Sequence, residues 1–268
     1  MDEYDPRLIV TLKADNPRTE IAWNRPENRN RCQSAPETDV ELVEIPSRGT
    51  TPAVSEQGEP QASKIHLTFD QKPKNLEKGF VFGSDPQTCD VLLGAWAGIS
   101  RQHFRITFNA RGEVILVDTS RFVTNVSYNG EKLPNRNQFT WILFDTYQNI
   151  KVTLNVKEKI KLVFQVEWPK NRKFCLAQYE AHRDAYFEEC RHATPSLSRL
   201  GMDSLQSQHR QPIYLPEEEL GRGNFGRINK VVNVSTGDEH AGKEFHDGNW
   251  KKEVEILRKV SHVSVVDP

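Results

Sequence analysis

The chain has 268 residues, 36% of them hydrophobic, with 36 Lys and Arg against 37 Asp and Glu for a formal net charge of −1. Interspersed charges of both signs leave no polybasic field to draw nucleic acid or an anionic membrane, and no apolar run is long enough to span a bilayer. The apolar share is low for a chain that folds throughout, so part of it is expected to be disordered.

Residues 1–62 hold one strand-like run, Leu-Ile-Val-Thr-Leu at 8–12, in a background rich in Pro, Glu, Asn and Arg. Such a segment buries too little apolar surface to offset its ordering entropy, and it reads as a disordered N-terminal tail. Thr51-Pro52 within it has the form of a proline-directed phosphorylation site, a pair that is frequent in tails of this kind. The four cysteines, Cys32, Cys89, Cys175 and Cys190, form no CxxC pair and no zinc-ligand spacing, and the start of the chain lacks a charged-then-apolar signal. A reducing, intracellular setting is expected.

From Lys64 onward short alternating runs follow at close spacing, at 65–69, 79–83, 90–93, 103–108, 113–118, 124–128, 138–144, 149–154 and 159–167. This pattern predicts a small β-sandwich over residues 64–168, whose function would sit on its loops. Ala110-Arg111-Gly112 suits a hairpin turn, and Trp141, Phe144, Phe164 and Trp168 read as packing residues. Trp168-Pro169 closes the sandwich, because proline cannot donate to a continuing ladder. Residues 169–212 read as a helical and flexible linker. Its segment 174–190 carries helix-spaced apolar residues, taken as an amphipathic spacer in preference to a docking surface. A Ser/Gln/Arg stretch with a Ser207-Gln208 pair follows, of the form used by DNA-damage-responsive kinases.

The loops of the sandwich carry Phe-Gly-Ser at 82–84, Ser100-Arg101-Gln102-His103 directly before a strand, and Asp118-Thr119-Ser120-Arg121-Phe122-Val123-Thr124 before Tyr128-Asn129-Gly130. This order resembles the forkhead-associated (FHA) domain, a binder of phosphothreonine peptides. The resemblance implies a phosphopeptide site at Ser84, Ser100, Arg101 and Thr124, with His103 bracing the loops. Two positions depart from the family. The arginine that follows the second-strand glycine is Ser84 here, and the asparagine that grips the peptide backbone is Phe122. Loss of one or two charge-assisted bonds of about 1.5–3 kcal/mol each implies weak binding.

Leu220-Gly-Arg-Gly-Asn-Phe-Gly226 is a G-x-G-x-x-G run, compatible by itself with a Rossmann turn, a kinase phosphate loop or a plain flexible loop. A Rossmann turn should open into a helix, yet residues 227–234 alternate apolar and polar, and Ser-Thr-Gly-Asp at 235–238 then makes a hairpin turn. A third strand carries Lys243, and residues 249–260 have a helix pattern with Glu253 and Glu255. The succession over residues 213–268 resembles a partial protein-kinase N-lobe, and FHA domain plus kinase lobe is the layout of the checkpoint-kinase family of Ser/Thr kinases.

That resemblance implies an ATP-binding set in which Gly221, Gly223 and Gly226 approach phosphates and Lys243 meets them while paired with Glu253. Leu220, Ile228 and Ala241 would flank the adenine. Gly242 stands where the family carries Ile or Val. No Asp-Phe-Gly and no His-Arg-Asp loop with its downstream Asn is present. This chain is therefore expected to contact ATP only weakly, to hold no magnesium and to transfer no phosphate.

The fold expected is mainly β, an FHA-type sandwich plus an incomplete α+β lobe of three strands and one helix. The function expected is phosphothreonine-dependent protein interaction, in the nucleus by the family's habit or in the cytoplasm. Its partners would be phosphothreonine-containing proteins, with no nucleic acid and no membrane. Two other readings are a fragment of an active FHA-containing Ser/Thr kinase and a scaffold that binds partners without phosphate.

Overall fold

The structure, a computed structural model, describes residues 5–33, 62–131, 133–156, 161–169, 172–193, 211–224, 226–246 and 250–259. Thr51-Pro52, Ser207-Gln208 and the remainder of 34–61 and 194–210 lie outside the described residues. The chain divides into two compact units, 1–208 and 209–268.

In the first unit the chain runs through β1 (Leu8–Ala14), α1 (Pro17–Trp23), a 3-10 turn (Pro26–Asn28), β2 (Cys32–Gln33), β3 (Lys64–Thr68), β4 (Phe80–Gly83) and β5 (Val91–Leu92). It continues through β6 (Phe104–Phe108), β7 (Val114–Asp118), β8 (Thr124–Tyr128), β9 (Thr140–Ile142), β10 (Ile150–Asn155), β11 (Lys161–Glu167) and α2 (Leu176–Ala193). The alternation in β6, β8 and β10 buries every second side chain, the signature of strands with one face on a core. Two sheets result, one in the order β2-β3-β1-β11-β10-β8 and the other β5-β4-β6-β7-β9. Their inner faces meet through aromatic rings: Phe82 and Phe104 lie 4.5 Å apart and Phe104 and Phe164 5.8 Å apart. The β6–β7 turn places Gly112 at φ 76°, where a side chain would be strained.

The N-terminal segment corrects the sequence reading. Residues 8–33 are not a tail but part of the sandwich, and β1 is an interior strand paired with both β3 and β11. Ile9, Val10, Leu12, Ala22 and Trp23 are at most 1% exposed, and Trp23 packs on Phe164 at 5.5 Å while its indole N–H donates to the Leu12 carbonyl. Asn28 is buried too, its side chain donating to the carbonyls of Ala22 and Leu92 and accepting from the Leu92 amide. Averaged composition misjudged this stretch, because its few apolar residues fill a core whose other walls come from β3, β4 and β11, about fifty to a hundred and fifty residues further on. The sandwich therefore starts at residue 8 rather than 64.

The spacer reading of α2 is likewise replaced. The helix packs on the sandwich it follows: Tyr179 and Tyr186 stand 5.4 and 6.0 Å from Phe69, Phe187 lies 5.3 Å from Phe108, and Tyr179 is wholly buried. Phe69 follows the end of β3 and Phe108 ends β6, whereas residues 100–103 precede β6. Helix α2 thus closes the end opposite the loop of residues 100–103.

The second unit comprises β12 (Tyr214–Gly223), β13 (Gly226–Asn233), β14 (Glu239–Phe245) and α3 (Trp250–Lys259). The strands form an antiparallel meander in the order β12-β13-β14. Gly223 pairs with Gly226, so the glycine run is the tip of a tight hairpin, and Gly237 takes φ 72° in the β13–β14 turn.

Candidate functional site

The loop end of the sandwich is held together by the approach of two backbones. Gly83 ends β4 directly beneath residues 100–101, and a Cβ on it would stand 2.2 Å from the Arg101 carbonyl oxygen. Only glycine allows this contact. It lets the Ser84 amide donate to the Ser100 carbonyl (3.1 Å) and the Asp85 amide donate to the Arg101 carbonyl (3.2 Å). The Ser84 hydroxyl adds a bond to the same Ser100 carbonyl at 3.3 Å. Ser84, Ser100 and Arg101 are therefore neighbours across 17 residues of sequence, the first two half-buried and the third exposed.

His103 braces this arrangement from below. It is wholly buried, its Nδ1 accepts from the Ser100 amide at 3.1 Å, and burial pushes its pKa down to about 4. The ring is neutral at physiological pH and plays the supporting role expected of it.

Thr124 belongs to a different layer. It opens β8, pairs with Leu154, bridges to Arg136 and is 0% exposed. The alternation that sends Val126 and Tyr128 into the core sends Thr124 inward as well. Thr124 thus differs in burial from Ser84, Ser100 and Arg101, the other residues expected to contact a ligand. Phe122 is half-buried, and its carbonyl accepts from the Ser120 hydroxyl.

Three residues that sequence reasoning did not single out complete the site. The Asp85 carboxylate lies 2.9 Å from the Arg101 guanidinium, and the Gln87 amide, then Arg101, hold its pKa below the ordinary carboxylate range. Thr119 donates its amide to the His103 carbonyl (3.0 Å), and its hydroxyl lies 3.2 Å from both the Gln102 and the His103 carbonyl oxygens. It ties the β7–β8 loop to residues 102–103. Arg121, at the exposed apex of that loop, has no hydrogen bond or ion pair among the described residues. An Asp-Pro turn after Ser84 could have marked Asp85, but no sequence signal shows which arginines are already paired.

In the second unit three residues of the expected ATP set share one face of the sheet. Ile228 stands opposite Lys243 and Lys230 opposite Ala241, so Ile228, Ala241 and Lys243 project the same way. Leu220 and Ile228 are 56% and 40% exposed, and Ala241 is exposed too. A Cβ on Gly221 or Gly223 would meet nothing within 4 Å, so the space beside these two glycines is open. Gly226 is confined instead, since a Cβ there would stand 2.1 Å from the Glu244 carbonyl oxygen. Lys243 Nζ lies 2.7 and 2.6 Å from the two Glu253 oxygens, which chooses Glu253 over Glu255 as its partner. A Cβ at Gly242 would meet Val231 Cγ1 at 2.9 Å, so Val231 occupies the room that a branched residue would need.

These residues fit the phosphate side of a nucleotide, with open backbone at the hairpin and a lysine oriented by a carboxylate. Among the described residues no group of three or more His, Cys, Asp or Glu that could hold a metal ion occurs. A His-Arg-Asp tripeptide does occur at 182–184, but on α2, where Arg183 bonds Asp184 and nears Glu180, and Glu189 stands at the spacing of the catalytic asparagine. It is a helix surface. Among the described residues no helix is long and apolar enough to cross a membrane.

Comparison with known families matches the FHA domain model to residues 80–144, which span β4 to the end of β9 and contain Ser84, Ser100, Arg101 and Arg121. This part of the chain is similar to the FHA domain. No curated protein matches the chain. Among solved structures it is similar to the N-terminal FHA domain of S. cerevisiae Rad53p in complex with a phosphothreonine peptide, at 28% identity over 36% of this chain and 72% of that one, with a TM-score of 0.29. It is also similar to an engineered FHA with a Myc-pTBD peptide, at 22% identity over 45% of this chain and 92% of that one, with a TM-score of 0.32. A third similarity is to Rad53 1–466 in complex with AMP-PNP, at 20% identity over 77% of this chain and 48% of that one, with a TM-score of 0.33.

Proposed function

We propose that the chain binds phosphothreonine-containing proteins through the loop end of its sandwich. The observation that carries this reading is the Gly83 contact, which brings the backbones of Ser84, Ser100 and Arg101 together inside the segment that matches the FHA model. Serine hydroxyls on adjoining loops, with arginines on the same loops, suit a phosphate dianion, which offers three strong acceptor oxygens. Isothermal titration of the purified chain with a phosphothreonine peptide library, and with the same peptides unphosphorylated, tests it. Phosphate-dependent binding is the expected result. Equal affinity for both sets would instead favour the phosphate-independent scaffold.

For the second unit we propose a kinase-type N-lobe that contacts ATP weakly, as part of a checkpoint-kinase-like chain working in the nucleus. The Lys243–Glu253 pair beside an open glycine hairpin supports it. ATP binding that disappears in Lys243→Met would agree with the proposal, and identical binding in the variant would remove it.

A further inference from the structure

We propose that Arg121 is the principal phosphate cation of the loop end, standing in for the arginine that is absent at Ser84, and that Asp85 holds Arg101 largely out of that role. The inference rests on the phosphopeptide reading of the site and adds which residue supplies the charge.

The two exposed arginines differ in what surrounds them. Arg101 is 85% exposed at its side chain but bonded at 2.9 Å to Asp85, whose own side chain is 10% exposed. A dianion approaching Arg101 meets the Asp85 carboxylate behind it. Coulomb energies of opposite sign at similar distances nearly cancel, so Arg101 offers little net attraction unless Asp85 is displaced. Arg121 carries no such partner among the described residues.

Arg121 is also well placed. Thr119 binds the carbonyls of Gln102 and His103 at 3.0 to 3.2 Å, so the loop leaves the edge of the Ser100–His103 segment and reaches Arg121 two residues later. Two residues span roughly 7 Å at most, about the length of an arginine side chain. The loop is anchored on both sides of its apex. The Ser120 amide donates to Asp118 Oδ1 at 2.9 Å and its hydroxyl to the Phe122 carbonyl, while the Asn155 amide donates to the Val123 carbonyl at 3.0 Å. The backbone under Arg121 is thus held by its own hydrogen bonds, and only the side chain must order when a ligand arrives. That limits the entropic cost of capture.

The test uses the full chain, one phosphothreonine peptide that binds it and the unphosphorylated twin, measured by isothermal titration for the wild type and for Arg121→Gln, Arg101→Gln and Asp85→Asn. Arg121→Gln is expected to weaken phosphopeptide binding about ten- to a hundredfold, the range for one lost charge-assisted contact, and to leave the thermal midpoint unchanged because Arg121 is exposed and makes no hydrogen bond or ion pair among the described residues. Arg101→Gln should cost less than about threefold, and Asp85→Asn should tighten binding severalfold by releasing Arg101. A wild type that does not distinguish the two peptides would remove the phosphopeptide reading and this inference with it. A wild type that does distinguish them, with Arg121→Gln unchanged or with Arg101→Gln the larger loss, would overturn the inference alone.

Discussion

The sandwich of residues 8–167 and the three-stranded sheet of residues 214–245 use the same kind of short alternating strand and reach very different degrees of burial. In the sandwich each sheet covers the other, and Phe80, Phe82, Phe104, Phe164, Trp23 and Trp141 are at most 1% exposed. In the small sheet Ile213, Leu215, Val232 and Val234 are buried, while Tyr214, Leu220 and Ile228 remain 42%, 56% and 40% exposed. An alternating strand specifies two faces, but only a second layer makes one of them a core. The sandwich can carry a site whose geometry is fixed by backbone contacts such as Gly83 against Arg101. The small sheet offers at Lys243 a half-exposed ion pair with Glu253, worth about 1 kcal/mol or less.

The largest expected effect follows directly from this contrast. Amide hydrogen exchange should be slower by several orders of magnitude in β4, β6 and β10 than in β12 to β14, because a small one-sided sheet opens at much lower free energy. Equal protection in the two units would show that the small sheet is as self-sufficient as the sandwich. Next in size, Trp23→Ala should cost the sandwich about 3–5 kcal/mol in a urea titration, the usual range for a buried tryptophan, although a tail residue would cost nothing.

A third prediction concerns pH. His103 has a folded pKa of about 4 against an ordinary value of 6.5, so between these two values the unfolded chain binds the extra proton. Its contribution is complete above pH 6.5 and is lost as the pH falls toward 4, by about 3 kcal/mol in total. Burial raises the carboxyls of Asp90 and Asp118, which opposes this trend at the acid end, so the fall should be clearest between pH 6.5 and 5. Denaturant midpoints that do not move over that interval would contradict a buried neutral His103. The smallest effect is expected at Lys243. Lys243→Met should lower the stability of the second unit by less than about 1 kcal/mol, and a larger loss of midpoint would mean that the pair with Glu253 organises α3 rather than a ligand site.

What could be read in advance differs between the two units for physical reasons. Strands β4 to β8 were legible because short apolar runs, alternating with polar residues in β6 and β8, and turn residues such as Gly112 define them within a few residues of chain. The lysine, glutamate and glycine hairpin of the second unit were legible for the same reason, as spacing along a meander. β1 and α1 were not, since Leu12 finds its partners at Ile65 and Val166 and Trp23 finds Phe164. Nothing local announces that a sparse apolar run will be an interior strand. At the site, Ser84, Ser100 and Arg101 came from motif order. The pairing of Arg101 with Asp85, the burial of Thr124 and the isolation of Arg121 are properties of the packed loops alone.

Amide chemical-shift mapping during a titration reads directly where a phosphothreonine peptide touches the sandwich. The expected result is that shifts gather at residues 84–85, 100–103 and 119–123, are absent along α2 at the opposite end, and vanish with the unphosphorylated peptide. Shifts centred on α2, or identical for both peptides, would contradict it.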